Sequence, residues 1–191
     1  SLWTWWLDRE VSVATKEGRP PLATDNPWRE AAAQFRQVQT RHRFLSRQEY
    51  ADLIESVPPE LVGHYAASVW LGLRNQEFCH LRPVDVELEG KPVVKIQPHP
   101  DGWAPKGWPE VTRGVRDIAV HRRELLPILI RHMEHHAGEH RVFLNPRSGE
   151  AWSPETWQNQ VKRDIEAAGL VYGRGRPEGI TPHTFRHTVP S

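Results

Sequence analysis

The sequence predicts a mainly helical domain with a small antiparallel sheet, an α+β arrangement. Three observations carry this. Helix-start signals recur at Ser46-Arg47-Gln48-Glu49, at Ser153-Pro154-Glu155 and at Thr181-Pro182, each joining a hydroxyl cap to an early carboxylate or a first-turn proline. Between Val84 and Ile96 the hydrophobic period shortens to two, with an interruption at Gly90-Lys91-Pro92 that reads as a hairpin. Nowhere does an internal repeat or a low-complexity tract compete with an ordinary folded core.

Taken in order, Leu2 to about Thr15 reads as the end of a helix, and Gly18-Arg19-Pro20-Pro21 to Asn26-Pro27 has linker composition. A helical pattern resumes at Trp28 and runs through Phe35 toward Arg43. The Ser46 capping box opens a helix carrying Tyr50, Leu53 and Ile54, and Pro58-Pro59-Glu60 opens another with Leu61, Tyr65, Val69 and Trp70. Gly72 breaks that pattern just before Arg74, and a short helix then carries Glu77, Phe78 and Leu81. Val84, Val86 and Leu88 alternate with polar residues as the first hairpin strand, and Val93, Val94 and Ile96 form the second. A loop from Pro98 to Gly114 leads to a third strand, Val115 to Val120. Leu125 to Met133 is helical, Ser153 to Ala168 is a helix closed by Gly169, and Thr181 opens the last helix.

At 191 residues with 38% hydrophobic content, the chain is large enough to bury a core without disulfides or metals. Its one cysteine, Cys79, excludes an internal disulfide and reads as a small core residue. No apolar run approaches the roughly 18 residues of a membrane span. The formal charge of +1 decides nothing about nucleic acid, since a basic face can sit inside a balanced total. The absence of an initiating Met and the crowding of Trp3, Trp5 and Trp6 lead us to expect a chain that starts partway through a longer protein.

Two basic motifs stand far apart in the sequence. Leu71-Gly72-Leu73-Arg74-Asn75-Gln76-Glu77 places Arg74 directly after a helix stopped by glycine. Pro182-His183-Thr184-Phe185-Arg186-His187-Thr188 places His183 and Arg186 three apart, on one side of a helix. Guanidinium forks of this kind suit the oxygens of a phosphate diester. Lys106, in Ala104-Pro105-Lys106, lies between two strand-like segments, from where it would reach over the same cleft.

With these residues in place, the chain resembles the catalytic domain of the tyrosine recombinase (phage integrase) family. The resemblance is carried by Gly72-Leu73-Arg74-Asn75-Gln76-Glu77-Phe78 with Leu81-Arg82-Pro83-Val84-Asp85-Val86, by Ala104-Pro105-Lys106 with Val115-Arg116-Asp117-Ile118-Ala119-Val120, and by the His183 to Thr188 segment. It implies residues 1–27 as the tail of a core-binding domain with its linker, and residues 28–191 as the catalytic domain. It further implies that Arg74 and Arg186 bind the scissile phosphate, that Lys106 protonates the departing 5′ oxygen, and that His183 assists proton transfer at the nucleophile. Glu77 would brace the site. The implied partners are duplex DNA and further protomers on it, with no metal, cofactor, small-molecule substrate or membrane, in a cytoplasmic setting. The full-length protein would break and rejoin DNA through a 3′-phosphotyrosyl intermediate. The family's nucleophilic tyrosine follows the His-x-x-Arg motif, whereas Tyr50, Tyr65 and Tyr172 all precede it. The chain as given is therefore expected to be a truncated catalytic domain, inactive alone.

Other readings stay open. A non-catalytic DNA-binding module, or a remnant, would keep the arginines and need no tyrosine. His132, His135, His136 and His140 have helical spacing that would suit zinc in a metal-dependent hydrolase, but without a cysteine or carboxylate set a solvated helix end is the simpler expectation. Arg174 and Arg176, in Gly173-Arg174-Gly175-Arg176, are candidate phosphate contacts in a connector. Lys91 and Lys95 rival Lys106 for its role. His187 reads as a buried structural partner, and Trp103, Trp108, Trp152 and Trp157 as core or rim packing.

Overall fold

The computed structural model describes residues 2–20, 43–106, 115–176 and 178–188. Contacts divide the chain into two units, Ser1–Arg41 and His42–Ser191. The first is represented by helix α1, Leu2–Glu17, closed by Gly18 at φ 65°. Arg19 folds back onto it, pairing with Glu10 and Glu17, each at 2.8 Å. The expected helix from Trp28, the boundary at residue 27 and the packing of Trp3, Trp5 and Trp6 lie outside what is described.

The second unit holds six helices and one sheet among its described residues. Helix α2 (Arg47–Ser56) begins with the expected capping box: Ser46 accepts from the Glu49 N–H while Glu49 accepts from the Ser46 N–H. Pro59 starts α3 (Pro59–Trp70), which is buried on nearly every side and forms the axis of the core. Leu61, Tyr65, Ala66, Ala67 and Val69 on it are at most a few per cent exposed. Gly72, at φ 57°, turns the chain out of α3 in a conformation L-residues avoid. Helix α4 (Asn75–His80) follows at once.

The sheet has three antiparallel strands in sequence order, β1 (Val86–Glu87), β2 (Val93–Ile96) and β3 (Arg116–Ala119). Val94 and Ile96 point to the core and pair with Ile118 and Arg116. The first strand is shorter than the alternation implied. Pro83–Asp85 forms a 3-10 turn instead, leaving Val84 largely exposed. Its cause is Asp85, fully buried, which accepts from the Arg82 N–H, Gln97 Nε2 and His99 Nε2.

Helix α5 (Leu126–His135) packs on α3, where Gly63 gives His132 room; a Cβ there would stand 2.9 Å from the His132 ring. Helix α6 (Pro154–Ala167) begins at a Ser153 cap with Pro154 in its first turn, and ends before Gly169 at φ 72°. It packs on α2 and α4, and Trp157 stacks on Phe78 at 4.5 Å. Tyr65 of α3 donates to Asp164 of α6 at 2.7 Å. Helix α7 (Pro182–Thr188) lies on α3 with Phe185 fully buried against Tyr65.

Candidate phosphate-binding site

Three segments, the α3–α4 junction, β3 and α7, bring the distant motifs together. Glu77 sits in the first turn of α4, where its carboxylate reaches back to the Arg74 N–H at 2.7 Å and satisfies an otherwise unpaired helix-start donor. The same carboxylate accepts from Arg74 Nη1 at 2.7 Å. Arg116 closes on it with two bonds, Nη1 to Oε1 at 2.9 Å and Nη2 to Oε2 at 2.8 Å. Arg186 arrives from α7, donating to the Gly72 carbonyl at 2.8 Å, with Nη1 3.6 Å from Glu77 Oε2.

Glu77 is 2% exposed while Arg74, Arg116 and Arg186 are 37%, 26% and 27% exposed. A buried carboxylate thus carries a partly open layer of guanidiniums. Burial by itself would raise the Glu77 carboxyl, but the hydrogen bonds from Arg116 and from Arg74 pull it down to about 2. It is ionised throughout the neutral range. Among the described residues, three guanidiniums face the one carboxylate of Glu77. Arg186 feels this directly: burial, then the neighbouring Arg74 and Arg116, lower its affinity for its own proton. An anion docked here relieves that repulsion, and paired oxygens match the guanidinium forks.

His183 is exposed, one turn before Arg186, with its Nε2 3.0 Å from His187 Nε2. His187, read as a buried structural partner, is half-buried and meets His183. The structure brings Arg74, Glu77 and Arg186 together. Lys106 is exposed in the connection from β2 to β3, and among the described residues no hydrogen bond or ion pair ties it to the cluster. Of its rivals, Lys95 pairs with Glu87 at 3.0 Å, and Lys91 is exposed in the hairpin turn. Arg174 and Arg176 are exposed in the loop before α7, which is pinched by the Ile180 N–H to Val171 bond at 2.8 Å and the Gly173 N–H to Ile180 bond at 3.2 Å.

Arg116 had no role assigned from the sequence. A signal was available: it keeps the phase of Ile118 on β3, so the alternation turns an arginine toward the core, where it requires a carboxylate.

The expected solvated helix end holds for His135 and His140, which are exposed, and for the half-buried His136, but not for His132. His132 is 8% exposed and donates to the Val142 carbonyl at 2.8 Å. Its ring lies edge-on to His64, which is buried among Phe78, Phe143 and Trp157 and donates to Leu144 at 2.9 Å. Among the described residues, no three His, Cys, Asp or Glu side chains are grouped to hold a metal ion. Cys79 is buried, and burial pushes its thiol up to about 12. Trp152 and Trp157 are core residues, Trp103 stacks on His80 at 5.0 Å, and Trp108 lies outside the described residues.

This helical scaffold with its small sheet is the fold of tyrosine recombinase catalytic domains. The chain superposes on the Tn1549 transposon integrase in complex with transposon right-end DNA with a TM-score of 0.62, at 20% identity, over 87% of this chain and 58% of that one. For DNA-bound lambda integrase the TM-score is 0.56 at 20% identity, covering 83% and 57%. For XerA recombinase it is 0.56 at 19% identity, covering 75% and 47%. The chain spans about half the length of these solved structures. No protein-family model matches the sequence, and no curated protein does. No described helix is long and apolar enough to cross a membrane.

Proposed function

We propose that this protein takes part in DNA recombination, its second unit gripping a backbone phosphate of duplex DNA at Arg74 and Arg186. The observation that carries this is the convergence of Arg74, Arg116 and Arg186 on the single buried carboxylate of Glu77. Such an array is preorganised for a dianionic, trigonal-bipyramidal phosphorus centre, where charge builds on the non-bridging oxygens. In the reaction we propose for the full-length protein, a tyrosine hydroxyl attacks phosphorus and gives up its proton, with His183 assisting. The bond to the 5′ oxygen breaks, Lys106 protonates that oxygen, and a 3′-phosphotyrosine remains. Arg174 and Arg176 would contact flanking phosphates, further protomers would assemble on the same DNA, and the setting would be cytoplasmic.

A non-catalytic binding role has one observation in its favour. Tyr65 is buried with its hydroxyl donated to Asp164, so that hydroxyl is not turned to the arginines. Fluorescence anisotropy with a duplex of about 30 base pairs, titrated across salt, tests the shared claim. We expect binding that weakens steeply with salt and falls roughly tenfold in Arg74→Ala and Arg186→Ala, the scale of a lost charged hydrogen bond. Equal affinity of these variants and wild type would refute the assigned site. A nicked duplex that traps covalent protein separates the two roles when applied to this chain and to longer forms of it.

A further inference from the structure

We infer that Arg116 is a positioning residue whose task is to release Arg74 and Arg186 for the phosphate by satisfying Glu77 in their place. The inference rests on the phosphate-binding reading of those two arginines. Glu77 Oε1 accepts from both Arg74 Nη1 at 2.7 Å and Arg116 Nη1 at 2.9 Å, and Arg116 Nη2 takes Oε2 as well. Arg116 alone therefore offers the carboxylate a complete two-pronged partner. Arg74 holds Glu77 through its backbone N–H too, at 2.7 Å, and that bond does not depend on where its guanidinium points.

The consequence follows from charge pairing. A buried carboxylate does not tolerate the loss of its partner. With Arg116 in place, the Arg74 guanidinium swings to an incoming phosphate and Glu77 still keeps a bidentate arginine and a backbone donor. Without Arg116, the same swing strands an ionised carboxylate that is 2% exposed. Glu77 then retains Arg74, and it draws in Arg186, whose Nη1 is already 3.6 Å away. The two guanidiniums assigned to the phosphate would then be held internally. Position supports this division of labour: Arg116 is anchored on a strand, opposite the buried Ile96, whereas Arg74 lies at a loop–helix junction and is the most exposed of the three.

The test is a double-variant rescue read by DNA binding. Anisotropy with a 30-base-pair duplex at fixed salt is measured for wild type, Arg74→Ala, Arg116→Gln, Glu77→Gln and the Glu77→Gln/Arg116→Gln pair, with tryptophan fluorescence confirming folding. We expect Arg116→Gln to weaken binding roughly tenfold, the scale of one charge-assisted contact, and the double variant to regain most of that loss, because the trap is gone. A structural role alone predicts that the double variant is at least as weak as Arg116→Gln, and that result would overturn the inference. If Arg116→Gln does not fold, Arg116→Lys serves, and binding unchanged in it would count equally against a bidentate role. An Arg74→Ala variant that binds like wild type marks failure of the phosphate-binding reading itself.

Discussion

Replacing Glu77 by Gln removes the negative charge at the centre of the arginine cluster with almost no change of shape, and its effect on stability can be worked from the structure. A carboxyl held at about 2 rather than the ordinary 4.5 corresponds to about 3 kcal/mol of interaction with the folded protein. Solvent reaching the partly exposed arginines trims this toward about 2 kcal/mol. Because the folded value is depressed, this stability is fully present above pH 4.5 and is lost as the pH falls toward 2. Urea unfolding followed by the fluorescence of the nine tryptophans, at pH 7 and again at pH 3, gives both numbers. We expect Glu77→Gln to be about 2–3 kcal/mol less stable at pH 7, with more than half of that gap gone at pH 3. A gap below about 0.5 kcal/mol at pH 7, the range of an ordinary surface change, would refute the argument. So would a gap that stays the same at both pH values.

Other outcomes follow from parts of the core remote from the cluster. Tyr65→Phe leaves the buried Asp164 with Gln160 as its remaining side-chain partner at 2.9 Å, and the urea midpoint should fall by about 1–3 kcal/mol equivalent. His64 is kept neutral by burial and then by the neighbouring His132, which bring it from 6.5 down to about 3. Below pH 6.5 the unfolded state therefore takes up the proton first, and stability should drop by about 2 kcal/mol between pH 7 and pH 5; a melting temperature flat over that range would contradict it. Gly179→Ala would place a Cβ 1.6 Å from the Gly173 carbonyl oxygen, forcing the Arg174–Arg176 loop open at a cost of about 1–3 kcal/mol, visible as faster proteolysis at that loop.

Local chemistry made much of the fold legible. The Ser46 and Ser153 caps, Gly72 and Gly169 act within a few residues, so their signals survive in the bare sequence. The clustered residues legible in the sequence were those carried by motifs: Arg74 with Glu77, and Arg186 in its His-x-x-Arg run. What was missed depends on partners far away in the chain. Val84 left the strand because Asp85 was captured by Gln97 and His99. His132 was buried by its contact with His64, which no helical spacing encodes. Arg116 became part of the site through a carboxylate 39 residues earlier. Burial of polar groups is decided by such pairs, and one strand's alternation shows only half of each pair.

The bond from Arg186 to the Gly72 carbonyl joins positions 114 residues apart. Closing so long a loop is entropically slow relative to the local steps that form α3 and α4. During synthesis, Glu77 and Arg74 leave the ribosome together and can pair at once, Arg116 joins them later, and Arg186 comes last. A nascent chain thus passes through a stage in which the carboxylate is already matched and the grip is still incomplete. Only the docking of α7 completes it, so the full arginine cluster around Glu77 forms after the rest of the second unit has folded.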